Sequence, residues 1–202
     1  MDYQLQGKRA FVSAGAHGIG EAIADLLTQE GATVIVADQD EGALREKKPK
    51  WHGTIAADLA TGEGVERAVA YAIETFGSVP DILINNLGVG DASPFEQVSD
   101  EKWARSFQVN LMGCVRACRA LVPKMAARGS GSVVNTGSDL AKQPEPGFMD
   151  YGAFKSGLLY VTKALAKQYA PIVRINTVLP GPIWACSQAI FPVWISIALR
   201  TF

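Results

Sequence analysis

Short apolar segments alternate with helix-patterned segments along nearly the whole chain, and this alternation restricts the folds open to it. The apolar segments, which we predict to be strands, span 9–13, 33–37, 51–57, 82–85, 132–136 and 173–178. The segments predicted to be helices span 21–27, 43–48, 65–76, 100–128 and 151–169. The repeated strand–helix–strand order predicts an α/β fold of three layers, with helices on both faces of one doubly wound parallel sheet. Ligands of such sheets bind at the carboxyl ends of the strands, so the loops after the strands are the ones to inspect.

The composition is that of an ordinary globular chain. Its 202 residues include 48% hydrophobic residues and carry a formal net charge of −1, which suits one core and gives no basic surplus for nucleic acid. The first residues lack the apolar core of a signal peptide, so we expect a cytoplasmic protein without membrane contact. Cys114, Cys118 and Cys186 do not have metal-ligand spacing, so we expect no metal site. Cys114 and Cys118 lie one helical turn apart and are predicted to be buried thiols, with a redox pair as the alternative.

A cluster of glycines lies between the first predicted strand and the first predicted helix. Glycines let the backbone approach a phosphate, and the following helix presents free N–H groups and the positive end of its dipole. A tight turn that merely needs glycine is the alternative, but the position favours a dinucleotide site. The residues predicted to contact the cofactor here are Ser13, Ala14, His17, Gly18, Ile19 and Gly20.

An aspartate ends the second predicted strand. Asp38 is placed to bond the ribose hydroxyls of an adenosine and to repel a 2′-phosphate. Gln39 follows it where an arginine would favour the phosphate, and the glycine turn carries His17 instead of lysine or arginine. These residues predict NAD as cofactor in preference to NADP. A helix-capping aspartate is the alternative, and it suits Asp40 better than Asp38.

The turns after the third and fourth predicted strands would border the same cofactor. Asp58 and Leu59 would meet its adenine edge, although a plain turn aspartate explains position 58 equally well. The turn 85–88, Asn-Asn-Leu-Gly, would lie under the cofactor. Asparagine side chains stabilise such irregular turns by bonding neighbouring backbone.

Tyr151 and Lys155 have a spacing that puts both side chains on one face of a helix. A cation beside a phenol lowers the phenol pKa, so the pair would form an acid/base device. Ser138, after the fifth predicted strand, would offer a hydroxyl to a substrate carbonyl. The Tyr/Lys spacing also occurs by chance on exposed helices and needs support from other motifs. Asn110, in an apolar part of a predicted helix, would bond either backbone of the next strand or a water near the lysine.

Taken together, these segments resemble the short-chain dehydrogenase/reductase family over residues 8–183. The turn 13–20 resembles the family's pyrophosphate-binding turn, and 85–88 resembles its Asn-Asn-Ala-Gly segment. A Pro-Gly pair after the sixth strand matches Pro180 and Gly181, beside the nicotinamide. The family's catalytic tetrad matches Asn110, Ser138, Tyr151 and Lys155.

The resemblance implies a Rossmann fold, a homo-oligomer (dimer or tetramer) and hydride transfer between NAD(H) and a secondary alcohol or ketone. It implies that Tyr151 is the general acid/base and that Lys155 lowers the Tyr151 pKa and holds the nicotinamide ribose. Ser138 would bond the carbonyl oxygen, and Asn110 would anchor a proton-relay water. Together with Tyr151 and Lys155, the further cofactor contacts that it implies are Asn86, Leu87, Gly88, Pro180, Gly181 and Ile183.

Three features depart from the family pattern. Ala14 stands where the first motif glycine usually lies; an alanine can serve there if the backbone is not left-handed, and we expect it to be tolerated. Leu87 replaces the usual alanine and would crowd the cofactor. After Ile183 we expect the usual substrate-covering segment and seventh strand to be missing, leaving one catalytic domain over 1–183 and an apolar tail over 184–202. The chain is then either an active enzyme or a cofactor-binding protein with little turnover.

Overall fold

The computed structural model describes residues 3–182 and contains one six-stranded parallel sheet. The strands are β1 (Arg9–Ser13), β2 (Thr33–Asp38), β3 (Gly53–Ala56), β4 (Ile82–Asn85), β5 (Gly131–Thr136) and β6 (Val173–Val178). The helices are α1 (Gly18–Gln29), α2 (Glu41–Lys47), α3 (Gly62–Phe76), α4 (Asp100–Phe107), α5 (Gly113–Arg128) and α6 (Met149–Tyr169). The strand order β3-β2-β1-β4-β5-β6 confirms the predicted doubly wound α/β fold. Ile183 and the predicted tail lie outside the described residues, so the division into domain and tail stays a prediction.

The sheet is apolar on both faces because helices cover both. Phe11 and Val12 are neighbours on β1 and point to opposite faces, where they join two separate core clusters. The Phe11 cluster packs under α3, α5 and α6, and the Val12 cluster packs under α1 and α2. Cys114 and Cys118 are buried free thiols in the first cluster, as predicted, while Cys186 lies outside the described residues. No helix within residues 3–182 has the length and apolar character needed to cross a membrane.

Most helix ends follow local sequence signals. Glycine in a left-handed conformation ends α3 at Gly77 and α5 at Gly129. The first helix begins earlier than the sequence predicts, directly at Gly18 of the glycine turn. The third strand is shorter than the predicted 51–57, and a 3₁₀ turn, Lys48–Lys50, lies before it.

A π-helical turn, Gln108–Met112, interrupts the segment that the sequence predicts as one helix over 100–128. Asn110 lies in this turn and is buried. Its side chain accepts a hydrogen bond from Val89 N at 3.0 Å and donates to Val89 O at 2.9 Å and Ser106 Oγ at 3.0 Å. The widened turn is therefore tied to the loop after β4. Such turns inside α-helices occur frequently at functional sites.

Candidate functional site

The predicted site residues gather at the carboxyl edge of the sheet, where the strand order reverses between β1 and β4. Ser13 and Asn85, the last residues of these strands, are paired there. Two neighbouring cavities open at this edge. We call the larger, of about 550 Å³, the acidic cavity, because Asp38 and Asp58 line it. We call the smaller, of about 320 Å³, the tyrosine cavity, because Tyr151 lines it.

Most of the predicted residues line one of these two cavities. Those in the acidic cavity are Ala14, Asp38, Gln39, Asp58, Leu59, Leu87 and Gly88. Those in the tyrosine cavity are Ile19, Asn86, Gly88, Ser138, Tyr151, Lys155, Pro180 and Gly181. The predicted residues that line neither are Ser13, His17, Gly18, Gly20 and Asn110, and Ile183 lies outside the described residues. The cavities meet at Gly88, so one elongated ligand would span both.

The glycine turn before α1 folds back so closely that a side chain would not fit. A Cβ at Gly20 would lie 2.2 Å from Ala14 O and 2.6 Å from Asn86 Nδ2. Gly18 has a φ of +55° and begins α1, whose N-cap residue His17 makes no side-chain cap. Uncapped N–H groups at the positive end of the helix dipole fit a phosphate group. The residues present therefore suit the pyrophosphate of the predicted cofactor.

Ala14 adopts a backbone conformation that the sequence analysis did not expect. Its φ of +50° lies in the left-handed region, so the condition under which the sequence predicts an easily tolerated alanine is not met. The turn requires this conformation, since Ala14 O accepts a hydrogen bond from Asn86 Nδ2 at 3.0 Å and lies against Gly20. For an alanine this conformation costs roughly 1–2 kcal/mol.

Backbone groups fix the carboxylate of Asp38. Its Oδ2 accepts from Ala16 N at 3.0 Å and its Oδ1 accepts from Asp40 N at 3.1 Å. The helix-capping role belongs to Asp40, whose Oδ1 accepts from Ala43 N at 3.0 Å. Asp38 thus lines the acidic cavity in a fixed orientation and does not cap a helix.

Asp58 and Leu87 each combine a local structural contact with a place in the acidic cavity. Asp58 Oδ1 accepts from Ala60 N at 3.0 Å, which is the turn role left open by the sequence, while the residue also lines the cavity. A Cβ at Gly113 would lie 2.6 Å from Leu87 Cδ2. The glycine therefore makes the room that the larger Leu87 side chain needs.

Tyr151 and Lys155 lie one turn apart on α6 and face the tyrosine cavity. Lys155 is only 1% exposed, and its Nζ donates to Thr136 O at 2.8 Å and to Leu87 O at 3.3 Å. The same Nζ lies over the Tyr151 ring, 5.7 Å from its centroid. Burial lowers the pKa of Lys155 to about 8.

The pKa of Tyr151 is raised above its ordinary value, whereas the neighbouring lysine led us to expect a lowered pKa. Burial raises the pKa of Tyr151 above 10, a hydrogen bond with Ser138 acts to lower it, and the carboxylate of Asp139 acts to raise it. Lys155 directs its ammonium to backbone carbonyls and to the ring face, so burial of the phenol prevails. The phenol is therefore protonated at neutral pH.

Residues 88–90, which we call the strap, pack closely against Tyr151 and Lys155. A Cβ at Gly88 would lie 2.9 Å from Lys155 Nζ, and a Cβ at Gly90 would lie 2.9 Å from Tyr151 Cδ2. The middle residue of the strap is the one that Asn110 holds through both of its backbone groups. Of the two roles that the sequence left open for Asn110, backbone binding is thus realised, but in the loop after β4 and not in the next strand.

Sequence reasoning missed several residues of the two cavities. They are Ala57, Ala60, Thr61, Val89, Gly90, Arg105, Gln108, Val109, Thr136 and Gly137. Thr136 ends a predicted strand, and Gly90 and Gly137 lie in the loops that follow predicted strands, so the strand-end rule would have found them. Arg105 and Gln108 lie on a segment predicted as one regular helix, which gave no signal that it borders a cavity. Within residues 3–182, no three His, Cys, Asp or Glu side chains are grouped so as to hold a metal ion.

Comparison with known proteins relates this architecture to one family. A sequence model of the short chain dehydrogenase family matches residues 8–189. The chain is 34% identical over 189 residues to the uncharacterised oxidoreductase YvrD of Bacillus subtilis, covering 91% of this chain and 72% of that protein.

Two solved structures show the same similarity in three dimensions. L-sorbose reductase from Gluconobacter frateurii, in complex with NADPH and L-sorbose, has a TM-score of 0.86 at 33% identity, covering 98% of this chain and 75% of that one. A 3-ketoacyl-(acyl-carrier-protein) reductase from Brucella melitensis, in complex with NADH, has a TM-score of 0.83 at 31% identity. That match covers 88% of this chain and 76% of the reductase.

Proposed function

The chain belongs to the short-chain dehydrogenase family, and we propose that it is an NAD(H)-dependent oxidoreductase that interconverts a secondary alcohol and a ketone. One observation carries this proposal. The tyrosine cavity is lined by Ser138, Tyr151 and Lys155. It adjoins the acidic cavity, where backbone hydrogen bonds fix the carboxylate of Asp38 at the end of β2. Tyr151 would then be the acid/base group at one end of a dinucleotide site, and Asp38 would be the ribose-binding group at the other end.

Each of the two cavities and the glycine turn would bind a different part of the cofactor. Asp38 would bond the adenosine ribose hydroxyls in the acidic cavity, and the uncapped start of α1 would hold the pyrophosphate. Pro180, Gly181 and Lys155 would border the nicotinamide ribose and ring in the tyrosine cavity. When bound, the nicotinamide supplies or accepts the hydride. Asp38 favours NAD because a 2′-phosphate beside its carboxylate would be repelled.

Tyr151 would move the proton. In the direction of reduction its protonated phenol donates to the carbonyl oxygen of the substrate, and in the direction of oxidation the phenolate takes the alcohol proton. Its raised pKa favours the donating form at neutral pH. Ser138 would hydrogen-bond the same substrate oxygen as negative charge develops on it. Lys155, mostly an ammonium at neutral pH, would stabilise the phenolate electrostatically.

Asn110 would support this proton transfer through the strap. Both hydrogens of its amide are engaged by Val89 O and Ser106 Oγ. A water held at Asn110 would therefore depend on its backbone or on its side-chain oxygen. The proton-relay water proposed for Asn110 would also need the strap in the position that Asn110 gives it.

Binding and turnover test the proposal separately. NADH fluorescence measures the Kd, and a screen of secondary alcohols and ketones measures turnover. Tyr151→Phe should lower kcat by about 10²- to 10⁴-fold, because general acid/base catalysis is lost, while the Kd for NADH stays nearly unchanged. Tyr160→Phe is the matched control, since Tyr160 lies on the same helix and is 79% exposed.

Three results would count against the proposal. Near-full activity of Tyr151→Phe would exclude this residue as the acid/base. Binding of NADH without turnover of any alcohol or ketone would favour a cofactor-binding protein. Failure to bind either NADH or NADPH would exclude the nicotinamide site itself.

A further inference from the structure

We propose that the carboxylate of Asp139 raises the affinity of the nicotinamide end of the site for the oxidised, positively charged ring relative to the reduced, neutral ring. This inference rests on the proposed function, in which the tyrosine cavity holds the nicotinamide. Asp139 follows Ser138 directly in the loop after β5, and it does not itself line the cavity. It would therefore act through its charge, from behind the cavity wall, and not by touching the ring.

Residues of the tyrosine cavity flank the carboxylate of Asp139. Ser138 Oγ donates to Asp139 Oδ1 at 3.1 Å, and Leu140 N donates to the same oxygen at 2.8 Å. A Cβ at Gly181 would lie 3.4 Å from the other oxygen, Asp139 Oδ2. The backbone N–H of Asp139 donates to Pro180 O at 3.0 Å. Ser138, Pro180 and Gly181 all line the cavity, so the carboxylate is fixed directly behind its wall.

The cavity itself supplies a positive charge and no carboxylate. Among residues 3–182, the side chains lining it that can ionise are Tyr151 and Lys155. Lys155 donates to the backbone carbonyls of Leu87 and Thr136, and it pairs with no carboxylate in the part of the chain that the structure describes. An ammonium in this position repels a positively charged ring. A carboxylate behind the wall offsets that repulsion.

The negative charge of Asp139 acts inside the cavity. Burial and then the charge of Asp139 raise the pKa of Tyr151, against the effect of its hydrogen bond with Ser138. Asp139 is half-buried, so solvent and salt screen its charge only in part. A charge that is felt at the Tyr151 phenol should also be felt by a ring bound beside that phenol.

The two oxidation states of the cofactor differ in the charge of the ring. In alcohol oxidation a hydride, with its two electrons, passes from the alcohol carbon to the ring, and the hydroxyl proton passes to the phenolate of Tyr151. The positive charge of the ring is neutralised in this step, and its attraction to Asp139 is lost. Asp139 should therefore stabilise the complex with alcohol and NAD⁺ relative to the complex with ketone and NADH.

Asp139→Asn removes the charge and keeps the local contacts, because the amide oxygen can still accept from Ser138 Oγ and Leu140 N. The Kd for NAD⁺ should rise about three- to tenfold, while the Kd for NADH should change by less than about twofold. NADH fluorescence measures the second constant, and displacement of NADH by NAD⁺ measures the first. AMP lacks the ring and should bind the protein and the variant equally.

Two further variants of Asp139 and one matched control sharpen the test. Asp139→Ser is a second neutral variant with an oxygen that can accept from Leu140 N, and it should change the ratio of the two Kd values in the same direction. Asp139→Glu keeps the charge and should leave the ratio closer to that of the protein. Glu145→Gln is the control, since it removes one carboxylate from an exposed position of the same loop and should leave the ratio unchanged.

Four results would overturn the inference. An unchanged ratio in Asp139→Asn, with NADH still bound by the full chain, would refute it and leave the proposed function standing. An equal loss of affinity for NAD⁺ and NADH would give Asp139 a structural role only. An equal shift of the ratio in Glu145→Gln would mean that no local charge is involved. Failure of the full chain to bind either form of the cofactor would exclude the proposed function, and the inference with it.

Discussion

Ala14 carries strain that a single substitution can relieve. Only Ala14 and Gln4 among the non-glycine residues of 3–182 have a positive φ. Ala14→Gly should raise the free energy of unfolding by about 0.5–1 kcal/mol, since relief of the left-handed strain exceeds the added freedom of the unfolded chain. Urea unfolding of the protein and the variant measures this difference in the free energy of unfolding. Ala16→Gly is the control, because Ala16 lies in the same turn without a positive φ, and this variant should be less stable than the protein. Equal changes in the free energy of unfolding for the two variants would show that Ala14 is not strained.

Lys155 should make the stability of the protein without cofactor depend on pH. Its folded pKa of about 8 lies below the ordinary value of 10.5, so between these values the unfolded chain binds more protons than the folded one. The free energy of unfolding should then rise by roughly 2–3 kcal/mol from pH 8 to pH 10 because of this group. The raised pKa of Tyr151 lowers the free energy of unfolding as the pH rises through 10, because the unfolded phenol then loses its proton while the folded phenol keeps it.

Comparison with Lys155→Met isolates this contribution. The difference in unfolding free energy between the protein and the variant should be flat below pH 8 and should then grow in favour of the protein up to pH 10. Urea unfolding at pH 7, 8, 9 and 10 measures that difference. A difference that stays constant over the range would mean that Lys155 keeps an ordinary pKa when folded.

At the scale of elements, the strap 88–90 and the π-helical turn together support Tyr151 and Lys155, the proposed catalytic pair. A Cβ at Gly90 would lie 2.9 Å from Tyr151 Cδ2 and 3.0 Å from Cγ, so Gly90→Ala must displace the ring. A displacement of under 1 Å should lower kcat by about 10- to 100-fold, because proton transfer depends on geometry, with little change in the Kd for NADH. Steady-state kinetics and NADH fluorescence separate the two effects.

Gly157→Ala provides the control for the strap. Gly157 lies on the same helix as Tyr151, and its added Cβ would meet Leu111 at an ordinary 3.5 Å. This variant should keep its activity, because alanine suits a helix interior. If Gly90→Ala is as active as Gly157→Ala, the strap does not position Tyr151.

Across the whole molecule, the sequence predicts what depends on strand burial and chain order. Strands apolar on both faces indicated a parallel sheet, and the strand-end rule placed Asp38, Ser138 and Asn86 at one edge. The left-handed Ala14 and the π-helical turn were not predictable, because each depends on a contact between segments distant in sequence. The direction of the Tyr151 pKa was missed for the same reason, since burial is a property of the folded chain.

The acidic and tyrosine cavities meet at Gly88, so a dinucleotide would join the half of the sheet formed by β1–β3 to the half formed by β4–β6. NADH at 100 times its Kd should stabilise the fold by about 2.7 kcal/mol, which is a rise in Tm of roughly 5–10 °C for a chain of this size. At equal concentration, AMP and reduced nicotinamide mononucleotide should each give a smaller shift, because each fills one cavity. Asp38→Ala should reduce the AMP shift and leave the mononucleotide shift intact, since Asp38 lines only the acidic cavity. Thermal unfolding monitored by circular dichroism measures all of these shifts, and an AMP shift as large as that of NADH would mean that the dinucleotide does not span both cavities.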